Sequence, residues 1–267
     1  MSVARWAWTF VERQGVLCMS GHSKWATTKH RKAAVDKARG KLFAKLIRQI
    51  EVAAREGGGD VDVNATLRTM YEKARAASVP MDTIERAIKR GTGELEGVHY
   101  EAVSYEGYGH AGVAVIAECL TDNKNRTGAD IRSIFGRNGG SMAEPGSVLW
   151  QFSRLGQVYV DGSLDEDTVM MAVLDGGADD VVKDDEGWSI TCRPAQLQGV
   201  IKALNDANIE VKSSELALVA SNPVSIVGEG DARKVIKLVE ALDDHDDVQN
   251  VWSNFDIPDS VLAGIDE

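Results

Sequence analysis

The sequence predicts an α+β protein, with an N-terminal helical domain followed by two α/β domains, at least one of them ferredoxin-like (βαββαβ). Three observations lead to this prediction. Apolar residues recur at helical spacing up to about residue 95. Strands and helices alternate after it, and residues 156–219 alone show the complete βαββαβ order. The chain has 267 residues, 43% of them hydrophobic, which is enough for real cores and argues against wholesale disorder.

Residues 19–95 are predicted to form a basic helical domain. A first helix is expected over 29–56 and a second at about 64–77. A third should begin at the N-cap Asp82 and end at Gly91, because these residue types are favoured at the two ends of a helix. The apolar residues of the first helix share one face, which should be buried: Phe43, Leu46, Ile47, Ile50 and Ala54.

The rest of the chain is predicted to form one discontinuous domain and one inserted domain. Residues 96–155 contain strands, including one expected at about 148–152, and one helix, but lack a second helix and a closing strand. Residues 220–267 supply both and are too few to fold alone. We therefore expect 96–155 plus 220–267 to form a discontinuous α/β domain, with 156–219 inserted as the ferredoxin-like domain.

Residues 1–18 are expected to be a poorly ordered N-terminal extension, or to come from an upstream start codon with the working start at Met19. The apolar stretch Trp6–Val11 is shorter than the core of a signal peptide, which needs about 7–15 residues. No apolar run in the chain approaches the roughly 20 residues of a membrane helix. Cys18, Cys119 and Cys192 lie far apart, which excludes a zinc ribbon and a disulfide scaffold. We expect a cytoplasmic protein without a membrane partner.

The formal net charge of −11 is unevenly distributed along the chain. Residues 19–95 contain 16 Lys and Arg against 9 Asp and Glu, whereas residues 96–267 contain 12 against 31. Residues 20–50 hold nine basic residues and a single acid, Asp36. This asymmetry indicates a basic module for a polyanion on an acidic body. Because the acidic body repels phosphates, the basic end should face the polymer.

The basic N-terminal segment is the strongest functional signal. Lys and Arg gain affinity by displacing condensed counterions from phosphates, and Trp25 can stack on an unpaired base. Lys37, Lys41, Lys45 and Arg48 follow at helical spacing and share a stripe. The alternative is a soluble helix face with Trp25 packed inward. The predicted nucleic-acid-binding residues are Lys24, Trp25, Lys29, Arg31, Lys32, Lys37, Arg39, Lys41, Lys45 and Arg48.

Other motifs favour structural interpretations. The GxGxxG pattern of Gly107–Gly112 is followed by a predicted strand instead of a helix, which indicates a hairpin turn. The acidic run Asp243–Asp247 lacks the spacing of an EF-hand and is interpreted as a solvated charge run. No nucleophile and base can be paired from their spacing. We therefore expect no catalytic residues, metal, cofactor or small-molecule substrate.

Several further motifs are distributed along the chain: MSGHSKW (19–25), RGKLF (39–43), AAREGG (53–58), PMDTIERAIKRG (80–91), YEGYG (105–109), TDNKNRT (121–127) and GSV (146–148). Together these motifs resemble those of the YebC family, in the family's order, from Met19 to about Pro258. The resemblance implies three domains, the first helical and the others α/β, and a cytoplasmic protein of bacterial type. Members are generally labelled probable transcriptional regulators that bind DNA, and others, including mitochondrial translational activators, act in translation on the ribosome.

The resemblance leaves the identity of the nucleic acid open. No recognition helix, zinc finger or RNP motif is apparent in the sequence, so it supports contact with the phosphate backbone and not base readout. The first hypothesis is a transcriptional regulator on DNA. The second is a ribosome-associated translation factor that binds ribosomal RNA. The third is an adaptor whose basic helix binds an acidic protein.

Overall fold

The structure, a computed structural model, describes residues 35–183 and 187–265. Its helices are α1 (Val35–Gly57), α2 (Ala65–Ala76), α3 (Met81–Thr92), α4 (Lys124–Arg137), α5 (Glu166–Leu174), α6 (Leu197–Asp206), α7 (Glu229–Asp243) and α8 (Asp259–Ile265). Its strands are β1 (Glu101–Tyr108), β2 (Ala114–Thr121), β3 (Ser141–Met142), β4 (Phe152–Asp161), β5 (Ala178–Lys183), β6 (Gly187–Cys192), β7 (Val211–Ala220), β8 (Val224–Ser225), β9 (Val248–Ser253) and β10 (Phe255–Asp256). None of the helices in these ranges has the length and apolarity needed to cross a lipid bilayer.

Helix α1 packs against α2 and α3 around a small apolar core. The predicted inward face of α1 is confirmed, because Leu46, Ile50 and Ala54 are buried and Phe43 and Ile47 pack at the edge of the core. The partners from the other helices and their connection are Leu67, Ala74, Val79, Ile84 and Ala87. One face of α1 is thus committed to this core, and its basic positions lie outside it.

The two predicted ends of the third helix are wrong. Helix α3 begins at Met81 with Pro80 as its N-cap, and Asp82 lies in the first turn, where its carboxylate pairs with Arg86. Gly91 lies inside the helix, where an added Cβ would be 2.4 Å from the Glu51 carbonyl oxygen of α1. Its missing side chain therefore permits close packing of α3 on α1, and the left-handed Gly93 (φ +84°) ends the helix instead.

Among the described residues, the first sheet has the strand order β3-β1-β2-β9, with antiparallel pairing throughout. Tyr108 pairs with Ala114 across the β1–β2 turn, which confirms that the GxGxxG motif forms a hairpin. Strand β9 comes from the C-terminal part of the chain and pairs with β2. Helices α4 and α7 pack on this sheet and bury side chains such as Ile131, Phe135 and Leu238. Residues far apart in sequence therefore share one core.

The second sheet has the strand order β5-β6-β4-β7 and is also antiparallel. Taken in chain order with α5 and α6, these strands form the βαββαβ unit of a ferredoxin-like fold, as predicted. Its own core includes Val158, Ile190 and Leu204. A further apolar cluster, which includes Ile116 and Leu218, joins this sheet to the first one.

The strand expected at residues 148–152 is absent from the described structure. Residues Leu149–Gln151 form a short 3-10 helix, and Phe152 is already the first residue of β4. The cause is the buried carboxylate of Glu106, which accepts hydrogen bonds from the backbone N–H groups of Gly146, Val148 and Leu149 at 2.6, 2.6 and 2.9 Å. These backbone N–H groups are therefore not available for hydrogen bonds to a neighbouring strand.

The pKa of Glu106 shows that these hydrogen bonds outweigh the cost of burial. Burial raises the pKa of this carboxyl. The three backbone hydrogen bonds together lower the pKa by more than burial raises it, so the net shift is downward. The ionised carboxylate is thus the form that holds the loop.

Replacing Glu106 by Gln should destabilise the fold by about 2–4 kcal/mol, since an amide offers one acceptor oxygen and turns its NH2 group toward backbone donors. The free energy of unfolding from denaturant titration at pH 7 measures this. The control is Glu101→Gln, which removes a half-exposed pair with Lys124 and should lower the free energy of unfolding much less. Equal losses for the two variants would show that Glu106 does not hold the loop.

Candidate nucleic-acid interface

Only part of the predicted nucleic-acid-binding set lies within the described structure. Lys24, Trp25, Lys29, Arg31 and Lys32 lie outside the described residues. Lys37 and Arg39 belong to α1, but their side chains are also outside the description. The side chains that the structure places are Lys41, Lys45 and Arg48, which we call the basic stripe.

The basic stripe follows from the helical geometry of α1. Arg48 follows Lys41 by seven positions, which corresponds to about 10 Å along the helix axis at 1.5 Å per residue. Leu46 and Ile50 point into the core of the helical domain, so the stripe lies on a different side of the same helix. The helix thus aims its cations away from its own domain and toward the first sheet.

The two lysines of the stripe bind the end of α7. Lys41 Nζ donates to Asp244 Oδ1 at 2.7 Å and to the Asp244 carbonyl oxygen at 2.9 Å. Lys45 Nζ donates to Asp243 Oδ1 at 2.8 Å and to the Asp243 carbonyl oxygen at 3.3 Å. Each ammonium group therefore satisfies a carboxylate and a carbonyl at a helix C-terminus, where cations are favoured.

Arg48 occupies the deeper end of the same contact. Its guanidinium donates to the Asp246 carbonyl oxygen, and its Nη1 lies 3.4 Å from Asp247 Oδ1. The Arg48 Cζ also lies 5.6 Å from the centroid of the Tyr100 ring, within the range of a cation–π contact. Arg48 is therefore held by groups from two separate connections of the chain.

The acidic run Asp243–Asp247, which we call the acidic loop, is not the solvated charge run that the sequence predicts. Asp247 is 5% exposed and accepts hydrogen bonds from Thr127 Oγ1 at 2.7 Å and from Arg126 Nη2 at 3.0 Å. The interpretation failed because it treated the run in isolation. Its cationic partners on α1 lie 198 to 203 residues earlier in the chain.

The pKa of Asp247 is set by its partners. Burial alone raises the pKa of this carboxyl, but the hydrogen bonds from Thr127 and Arg126, with the charges of Arg126 and Arg48, lower it below its ordinary value. Asp247 therefore remains ionised near neutral pH and anchors the acidic loop to the start of α4.

The two cysteines in the described part of the chain are both buried. Burial raises the pKa of the Cys119 thiol to about 12, with the Asp247 charge adding to the effect, and burial also raises the pKa of Cys192. Neither described thiol is therefore a ready nucleophile. His110 Nε2 lies 2.9 Å from Asp231 Oδ1 at the surface. No group of three or more metal-ligating side chains occurs among the described residues.

Two open clefts flank Arg48. One, of about 480 Å³, is lined by residues including Glu51, Arg90 and Tyr100. The other, of about 490 Å³, is lined by residues of the acidic loop together with Arg126 and Asp130. Both contain charges of opposite sign, unlike the mostly apolar pockets that hold small molecules.

Helices α2 and α3 do not offer a groove-reading surface. Residues 77–80 connect them in a short turn, as in a helix-turn-helix unit. The first turns of the second helix in such a unit would meet base edges and phosphates. In α3 these turns expose Asp82, Glu85 and Arg86, and because Arg86 pairs with Asp82 they offer no excess of positive charge to a phosphate backbone.

The fold and the interface together define a class of protein: a multidomain α+β protein whose basic helical domain presents a row of cations to anionic oxygens. Residues 23–94 match the family model described as the TACO1/YebC protein N-terminal domain, and residues 100–255 match the TACO1/YebC second and third domain. The chain belongs to the TACO1/YebC family.

Relatives and a solved structure agree with this assignment. A "Probable transcriptional regulatory protein" of Halothermothrix orenii is 51% identical over 252 residues, covering 93% of this chain and 100% of the relative. A protein of the same name from Thermobifida fusca is 54% identical over 250 residues, covering 92% and 100%. The crystal structure of a conserved hypothetical protein from Aquifex aeolicus superposes with a TM-score of 0.79 at 42% identity, covering 88% of this chain and 97% of that one.

Acid should weaken the Asp247 anchor. Because its pKa is lowered in the folded protein, its contribution to stability is complete above the unfolded pKa of about 3.9 and is lost as the pH falls through the folded pKa. Asp247→Asn should cost about 1–3 kcal/mol at pH 7. Its free energy of unfolding should then fall less steeply than that of the wild type below about pH 4.

The control for this prediction is Asp82→Asn, which alters an exposed pair with Arg86 on α3. Denaturant titrations at a series of pH values compare the three proteins. Parallel curves for the wild type and Asp247→Asn would contradict the assigned role of Asp247.

Proposed function

We propose that this protein is a cytoplasmic, nucleic-acid-binding regulator of gene expression that grips a phosphate backbone through its basic helical domain. Its relatives are named probable transcriptional regulatory proteins, which supports the general role. The bias of residues 20–50 toward Lys and Arg supports a polyanionic partner. The first candidate for this polyanionic partner is DNA.

The contact between the basic stripe and the acidic loop is the observation that carries this proposal. Lys41 and Lys45 bind carboxylate oxygens at 2.7 and 2.8 Å, a length typical of charge-assisted hydrogen bonds. They do so from successive turns of one rigid helix. A helix that aligns its cations on a series of anionic oxygens can make the same contacts with successive phosphates.

The other predicted residues complete the proposed site. Lys37 and Arg39 lie one turn or less from Lys41 on α1 and extend the basic region toward its N-terminus. Lys24, Trp25, Lys29, Arg31 and Lys32 precede the helix in the sequence and add both positive charge and an aromatic ring for stacking.

Binding to ribosomal RNA, as a translation factor, is the second candidate. It is favoured by the acidic start of α3, since a DNA-reading protein normally places a basic or polar element in a groove. Phosphate contacts carry no sequence information, so a ribosomal RNA surface would satisfy the same lysines. Acidic proteins remain a third class of partner for the basic domain.

Changing Lys41 and Lys45 together to Gln should weaken binding to nucleic acid while preserving the helix, because Gln has good helix propensity. Each lost phosphate contact should reduce the slope of log affinity against log salt by about 0.9 on a duplex or 0.7 on a single strand. The slope should therefore shrink by about one to two units, similarly for unrelated sequences. Fluorescence anisotropy at several salt concentrations measures this.

The matched control is Lys202→Gln with Lys237→Gln, which removes the same charge from exposed positions on α6 and α7. An unchanged slope in the stripe variant, with intact folding, would contradict the proposed site. Co-sedimentation with ribosomes after DNase treatment separates the two polymers. Loss of that co-sedimentation in the stripe variant, without effect on duplex binding, would favour the translation factor.

A further inference from the structure

We propose that the acidic loop is an intramolecular competitor of the nucleic acid: it occupies the basic stripe in the free protein, and the phosphate backbone must displace it to bind. This inference rests on the proposed function and concerns the regulation of that same site. It adds to the expectation from the sequence that the basic end faces the polymer, because in the free protein the basic stripe faces the acidic loop.

The occupancy of the stripe is the first argument. Lys41, Lys45 and Arg48 each bind a different residue of the acidic loop, and their side chains are only 29%, 16% and 20% exposed. The ammonium groups of Lys41 and Lys45 each donate two hydrogen bonds to the acidic loop. Because an ammonium group has three N–H donors, a phosphate arriving at these nitrogens finds at most one of them unengaged, and it must displace the loop to take the other contacts.

The position of the two outer aspartates is the second argument. Asp243 is the last residue of α7 and Asp244 is its C-cap, which places two carboxylates at the negative end of the helix dipole. That arrangement is locally unfavourable. The positive charges of Lys41 and Lys45 offset this unfavourable arrangement from across the interface. The contact with α1 therefore stabilises the C-terminal end of α7.

The contact is also graded in strength along its length. The Asp244 side chain is 70% exposed, and an exposed ion pair contributes little to stability. Asp247 is buried and is held independently by Arg126 and Thr127. The outer pairs can therefore yield to a polymer that releases counterions, while the Asp247 end remains anchored and limits how far the loop moves.

Zero-length cross-linking tests the displacement directly. Carbodiimide joins a lysine to a carboxylate only when the two are in contact, so the full chain alone should yield peptides linked between Lys41 and Asp244 or between Lys45 and Asp243. A fluorescein-labelled 20-base-pair DNA duplex, added to saturation, should suppress these links. Mass spectrometry measures their yield. Links that persist at full yield on the saturated complex would overturn the proposal.

A pair of variants tests the competition. Asp243→Asn with Asp244→Asn should raise the affinity for the same duplex by about two- to thirtyfold, the equivalent of losing one exposed and one partly buried surface ion pair. The control, Asp206→Asn with Glu210→Gln, makes the same change in net charge at exposed positions beyond the stripe. It should raise affinity much less. Equal gains would mean that net charge, and not displacement of the loop, is responsible.

The outcomes separate this proposal from the proposed function. In one outcome, Lys41→Gln with Lys45→Gln weakens duplex binding, but Asp243→Asn with Asp244→Asn leaves it unchanged. That outcome would support the proposed function and overturn the competition. Absence of binding to the duplex and to ribosomes in every variant would overturn both. Circular dichroism and thermal midpoints confirm that the substituted proteins are folded before either comparison is made.

Discussion

The ionic contact between α1 and the acidic loop is the interaction on which the position of the helical domain against the first sheet depends. Asp247 is its centre: it binds Arg126 and Thr127 at the start of α4 and faces Arg48 of α1. A buried carboxylate without such partners would be costly, so removing any one of them leaves the others poorly satisfied. The contact thus joins the helical domain to the first sheet through a few charges instead of a large apolar surface.

The same contact explains how a basic domain can be both prepared for phosphates and withheld from them. Carboxylate and phosphate oxygens accept the same charge-assisted hydrogen bonds. A helix whose cations are already ordered on anions loses less side-chain freedom when it exchanges one anion for another. The acidic loop therefore preorganises Lys41 and Lys45 and also occupies them. Under the proposed function, the affinity for a nucleic acid is the difference between two interactions of the same chemical kind.

Local and periodic features were predictable from the sequence, and long-range features were not. The buried face of α1 and the βαββαβ order of residues 156–219 follow from apolar spacing, and the structure confirms both. The loop bound by Glu106 and the shared contacts of Asp247 join residues 40 and 120 positions apart, a separation that carries no periodic signal. For the candidate site, the sequence indicated which cations share a helix face but not what that face contacts.

The charge asymmetry of the chain has a consequence beyond repulsion of phosphates. A basic segment tethered to a strongly acidic body sees that body at a high effective concentration, because the two belong to one molecule. Self-contact therefore competes with any polymer. Salt weakens both interactions, but it acts most on the partner with the larger condensed counterion atmosphere, which is the nucleic acid. Under the proposed competition, low salt therefore favours the polymer over the loop, and rising salt favours the return of the stripe to Asp243 and Asp244.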